Sequence, residues 1–152
     1  VLWPENPNNA AEVLLAWFKK KYARENLAVV ITDSRSQPLR QGVTGFAIGW
    51  AGFSPLHDGR NRKDLLGAFS GGSQVNVADS IAAAAVLVMG EANEQTPIVR
   101  LRGVPYVTDP HLAQSKNFAR DNDLGVDMEK DIFAPFLRSV PWKEGWKKKR
   151  VR

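Results

Sequence analysis

Cysteine is absent from this 152-residue chain, and histidine occurs only twice, at His57 and His111. The first absence excludes a disulfide scaffold, a thiolate metal site and a cysteine nucleophile. The second sets against a histidine-based metal centre and a Ser-His-Asp triad. His57 lies in a polar stretch and reads as a surface residue. No apolar run approaches the roughly 20 residues that a membrane helix needs. The opening "VLWPENPNN" has no basic stretch followed by an apolar core, so it is not expected to be a secretory signal. It also lacks a methionine, which predicts a processed, trimmed or partial chain. Phosphate-binding loops are missing as well: there is no GxxxxGK(S/T) and no GxGxxG after a strand, and "SGGSQ" without a lysine reads as a turn. Lack of cysteine fits a cytoplasmic location better than a small secreted protein.

The net charge of +5 is unevenly placed. Six of the 21 Lys/Arg and one of the 16 Asp/Glu lie in the tail Trp142–Arg152, which leaves the two signs balanced over residues 1–141. A single domain over 1–141 followed by a basic tail is therefore expected, and 43% hydrophobic residues suffice for its core. A basic tail with two tryptophans can touch phosphates and stack on bases. A neutral body argues against a dedicated nucleic-acid surface, and solvation of the tail is the simpler reading.

Asn9 followed three residues later by Glu12 predicts a capped helix that ends near Glu25, with Val13, Leu14, Trp17, Phe18 and Tyr22 as its buried stripe. "LAVVIT" is too short and too β-branched for a helix. Its apolar residues are consecutive, which predicts a strand covered on both faces. "SRSQPLRQGVTG" reads as a loop, and "FAIGWAG" as a second strand in which Gly49 permits close backbone approach. "NVADSIAAAAVLVMGEA" is the clearest helix: Asn76 caps it, Asp79 favours its start, and Ile81, Ala84, Ala85 and Val88 line one face. Its four successive alanines make it thin. "TPIVRLRG" predicts another strand, "DPHLAQSKNFARDND" a short helix capped by Asp109, and "DMEKDIFAPFL" a helical turn broken at Pro135. Strands and helices mix, so the expected class is α+β or irregular α/β, a sheet packed with helices.

The acids carry the chemistry. Hard divalent cations take oxygen ligands, and carboxylates and hydroxyls serve. Asp33 and Ser34 stand where the first strand is expected to emerge, the end at which open sheets collect ligands. Glu91 ends the alanine-rich helix. With helix and strand side by side, Asp33, Ser34 and Glu91 could converge on Mg²⁺ or Mn²⁺; equally, a strand-terminal Asp can simply cap a turn. Arg35 and Arg40 could meet a phosphate or carboxylate, or pair with Asp33 and nearby acids.

"ITDSRSQPLRQGVTGFAIGWAG" resembles the signature of the coenzyme F420-0:γ-glutamyl ligases, approximately I/S-S-D-T-x-G-R-P-x-R-x-G followed by A-I-G-x-A-G. The likeness continues through "DLLGAFSGGSQVNVADSIAAAAVLVMGEANEQTPIVRLRG" and is best over Val29–Gly103, about half the chain. "LWPEN" fits weakly, and the last 45 or so residues match poorly. The resemblance implies an α+β ligase-like domain that joins L-glutamate to a phosphorylated deazaflavin acceptor, using GTP and Mg²⁺ or Mn²⁺ through an acyl phosphate. It places Asp33, Ser34 and Glu91 among the metal ligands, Arg40 on the second signature arginine, and Glu91, Ala92, Asn93 and Glu94 beside the nucleotide. It further implies a cytoplasmic homodimer. The signature Gly-Arg-Pro reads Ser36-Gln37-Pro38 here, a change that matters if the backbone needs positive φ at that point. The family enzymes are longer, so a fragment, an enzyme completed by a separate chain supplying the missing N-terminal half, or a relative with altered chemistry are all expected possibilities. A non-catalytic binding or assembly module on the same fold is the alternative.

Overall fold

The structure, a computed structural model, describes residues 3–59, 63, 65–68, 74–108, 124–141 and 143. Helix α1 spans Pro7–Tyr22, strands β1 and β2 span Val29–Ser36 and Val43–Ala51, β3 and β4 span Leu56–Asp58 and Gln74–Asn76, and helix α2 spans Val77–Met89. A short helix α3 (Pro105–Thr108), a 3₁₀ turn (Met128–Lys130) and helix α4 (Ala134–Arg138) follow. The class is α+β. Among the described residues the sheets are two antiparallel pairs, β1–β2 and β3–β4.

The β1–β2 hairpin is the centre of the fold. Its register runs from Val29 opposite Ala51 to Ser36 opposite Val43, with a bulge between Ile31 and Thr32. Side chains alternate along a strand. Thr32 and Ser34 reach the end of α2 and the turn after it, whereas Gly49, opposite Ile31, abuts the backbone of Pro7 in α1. Helices thus cover both faces, as the unbroken apolar run predicts. A Cβ on Gly49 would lie 2.5 Å from Pro7 backbone atoms, so only glycine lets the start of α1 sit on the strand. Asn8 Oδ1 accepts the Trp50 N–H at 3.1 Å and fixes that contact.

Small side chains build the other interface. Ala47, Trp50, Phe53, Val77, Ala78 and Ala82 form the core cluster, with Val30, Ile81, Val107 and Leu124 packed around it. The thin, alanine-rich α2 comes so close that a Cβ on Gly45 would meet Ala82 O at 2.5 Å. Asn76 caps α2: its Oδ1 accepts from Asp79 N at 3.0 Å, and its Nδ2 donates to Asp79 Oδ2 at 2.8 Å. Asp79 Oδ1 in turn accepts the Ala47 N–H at 2.9 Å, which ties the helix start to β2.

Several expectations change. Asn6, not Asn9, caps α1, and its Oδ1 accepts the Asn9 N–H. The helix buries Ala11 and half-buries Leu15, Phe18 and Lys19, while Val13, Leu14, Trp17 and Tyr22 of the expected stripe stay exposed. Apolar residues surround this helix on more than one side, and the close seat on Gly49 selects the small-residue face. In α2 the buried face is Val77, Ala78, Ala82 and Ala85, so Ala84 and Val88 point outward. Strand β1 does not stop at the acid but runs on to Ser36. Residues 96–103 have no ladder partner among the described residues and form no strand. Pro135 opens α4 rather than breaking a helix, because its missing N–H costs nothing in the first turn. The Asp109-capped helix and nearly all of the basic tail lie outside the described residues. Trp17, 51% exposed, gives a direct check. Trp17→Ser should change unfolding free energy in a urea titration by no more than about 1 kcal/mol, against the 3–5 kcal/mol lost with a core tryptophan.

Candidate functional site

Strand alternation decides what the acid and the hydroxyl each meet. Ser34 lies on the α2 face, and its Oγ donates to Glu91 Oε2 at 3.0 Å. On the same face Thr32 Oγ1 points to Met89 Sδ at 4.0 Å. Glu91 reaches β1 because Gly45, the register partner of Ser34, leaves room for α2, and because Gly90 turns the chain sharply after the helix. Gly90 has φ 79°, and a Cβ there would collide with the Glu94 carboxylate. The backbone conformation is what calls for glycine.

Asp33 belongs by alternation to the opposite face. Its Oδ1 accepts the Ser34 N–H at 2.7 Å, and its Oδ2 accepts the Trp3 Nε1–H at 2.7 Å. A continuous line of hydrogen bonds thus runs from Trp3 through Asp33 and Ser34 to Glu91. Asp33, Ser34 and Glu91 supply two carboxylates and one hydroxyl along the same line. Among the described residues no three His, Asp or Glu side chains gather as a metal-binding group.

Of the remaining candidates, Glu94 serves the turn itself. Its Oε2 accepts the Ala92 N–H at 2.8 Å, and this bond, with one from its own backbone N–H, holds its carboxyl below the usual range. Ala92 and Asn93 are exposed on that turn. Arg40 lies beyond the strand, on the exposed hairpin. Its backbone N–H closes the turn onto Gln37 O at 3.3 Å, and its guanidinium has no partner among the described residues. Arg35 instead crosses the Phe46 ring at 5.1 Å and approaches Asp79 Oδ2 at 3.8 Å, so its acid partner is Asp79 and not Asp33. Ser36 is the last residue of β1 and is not among the positive-φ residues, so serine in place of the signature glycine carries no strain here. A separate open cleft of about 310 Å³ lies between α1 and the end of β2, lined by Glu12, Leu15, Lys19 and Trp50 among others.

Two residues of the site escape sequence reasoning. Trp3 lies thirty positions from Asp33, and no local spacing joins them. Asp79 is legible as a helix-start residue, but its bonds to Ala47 and Arg35 depend on the docked sheet.

The profile of the F420-0:Gamma-glutamyl ligase family matches residues 1–103. The chain belongs to this family. The match includes the first helix and Trp3, and so extends beyond the Val29–Gly103 signature region. The coenzyme F420:L-glutamate ligase of Methanothermobacter thermautotrophicus is 44% identical over 103 residues, covering 68% of this chain and 40% of the relative. That of Methanocaldococcus jannaschii is 39% identical over 105 residues, 68% of this chain and 42% of the relative. The Haloarcula marismortui ligase is 33% identical over 138 residues, 91% of this chain and 50% of the relative. The chain thus spans 40 to 50% of the length of these relatives. Among the described residues no helix is long and apolar enough to cross a membrane.

Proposed function

We propose that this ligase-family chain carries part of a γ-glutamyl ligase site, in which Asp33, Ser34 and Glu91 hold Mg²⁺ or Mn²⁺ beside GTP. The observation that carries the reading is the 3.0 Å bond between Ser34 Oγ and Glu91 Oε2, with the Asp33 carboxylate, although its residue belongs to the other strand face, turned back onto the Ser34 N–H at 2.7 Å. The donor set is all oxygen, as these hard cations require. Two carboxylates suffice for Mg²⁺ because it keeps several waters and completes its shell with substrate phosphates. When bound, the cation neutralises charge on the transferring phosphoryl oxygens.

The chain's own residues have distinct tasks in this reading. The Ser34 hydroxyl holds Glu91 across the gap between β1 and the turn after α2. Residues 91–94 border the nucleotide, with Glu94 keeping the turn in shape. Arg40, whose guanidinium has no partner among the described residues, offers it to a phosphate or to an anionic substrate such as glutamate or a phosphorylated deazaflavin-like acceptor. The remaining length of the relatives, carried by a longer form of this chain, by another copy or by a separate polypeptide, would complete the site. The exposed apolar side chains of α1, and residues 96–103, which have no ladder partner among the described residues, leave surface for such a contact.

One observation favours a second reading, a non-catalytic binding module: both Asp33 oxygens already have partners within the chain. Calorimetric titration with MnCl₂ and GTP separates the two. Binding heat in the wild type that vanishes in Asp33→Asn is the expected result. No heat with any nucleotide supports the module.

A further inference from the structure

We propose that Trp3 is a positioning residue for Asp33, its indole N–H setting the orientation in which the carboxylate faces a cation. The proposal rests on the cation site described above. Tryptophan has a single side-chain donor, and at 2.7 Å from a carboxylate oxygen that donor makes a short hydrogen bond of the charge-assisted kind. Trp3 remains 61% exposed, so burial of its ring does not explain its location. The polar end of the side chain is what the fold uses.

The backbone delivers the indole with little freedom to lose. Pro4 follows Trp3 and restricts it to extended conformations. Asn6 then caps α1, and Pro7 begins the helix. Pro7 sits against Gly49, at a distance no other residue type would allow. Gly49 is opposite Ile31, two positions before Asp33 on the same strand face. Seating α1 on the hairpin therefore brings Trp3 to Asp33. The Ser34 N–H holds the second oxygen. With one N–H on each oxygen the carboxylate cannot rotate freely, and each oxygen keeps lone-pair capacity for a cation. Partners of this kind outside the ligand set commonly govern metal affinity by 10–100-fold.

The test uses two readouts. The five tryptophans yield five indole N–H signals in ¹H–¹⁵N spectra of the full chain, and Trp3→Phe assigns one of them. In Asp33→Asn that signal should move upfield even without metal, and in the wild type it should shift on adding MgCl₂. Mn²⁺ binding, measured by electron paramagnetic resonance, should weaken about 10-fold or more in Trp3→Phe, with the thermal midpoint unchanged and Trp17→Phe binding as the wild type does. If Mn²⁺ binds the wild type, is lost in Asp33→Asn, yet binds Trp3→Phe within twofold, the positioning role falls and the cation site stands. If the wild type binds no Mn²⁺, both fall. An indole signal that ignores Asp33→Asn overturns the proposal regardless of metal.

Discussion

Phe53→Ala should lower the free energy of unfolding by about 3–5 kcal/mol, the range for losing a buried phenylalanine ring. Phe53 is fully buried, and its neighbours in the core are Ala47, Trp50, Val77, Ala78 and Ala82. Three of these neighbours are alanines, whose methyl groups cannot rotate into the vacated volume, so much of the cavity stays open. A domain with a total stability of roughly 5–15 kcal/mol has little left after such a loss. Urea denaturation followed by circular dichroism measures it. A loss below about 1 kcal/mol would mean that the core lies elsewhere.

The second large effect links the fold to the site. Gly45→Val should destabilise the chain by about 1–3 kcal/mol, the usual cost of overpacking, and should weaken Mn²⁺ binding as well. The new Cβ would lie 2.5 Å from Ala82 O, a backbone atom of α2, and 2.5 Å from Val86 Cγ2. Helix α2 must therefore move away from β2. Glu91 follows that helix, so its bond to Ser34, the register partner of residue 45, lengthens. The joint loss is the distinguishing feature. Phe53→Ala, at a residue absent from the hydrogen-bonded line to Glu91, should lower stability while molecules that remain folded bind Mn²⁺ normally. Unchanged Mn²⁺ affinity in a folded Gly45→Val protein would show that the closeness of α2 to β1 does not control the site.

How much of this was legible beforehand differs from element to element. The start of α2 was readable in full: Asn76 and Asp79 interact over three residues, and such capping acts through local backbone geometry. Strand β1 runs past the expected end because Asp33 and Ser34, polar residues that look like a strand end, are half-buried with their polar atoms hydrogen-bonded and so stay within the ladder. The residues alone left the juxtaposition of Ser34 with Glu91 open, as one outcome of placing a strand end beside a helix end, and the family likeness favoured it; no periodicity links residues 57 positions apart. The strand expected at 96–103 failed for a different reason. A β-branched run can state a preference for extended backbone, but a ladder needs a partner, and none is found among the described residues.

By itself the sequence determined both principal helices and the two strands of the hairpin, and with the family motif it also indicated the α+β class and named Asp33, Ser34 and Glu91 as candidate oxygen donors. Those properties follow from signals that act within a few residues, or from a motif whose order and spacing are specific. Only the tertiary structure decided which face of α1 turns inward, that Arg35 meets Asp79, and that Trp3 holds Asp33. Each of these choices is made by close approach between elements distant in the chain. Of the glycines that permit that approach, Gly49 was legible as a point of close contact, but its partner Pro7 and the role of Gly45 emerge only when helices are packed against them.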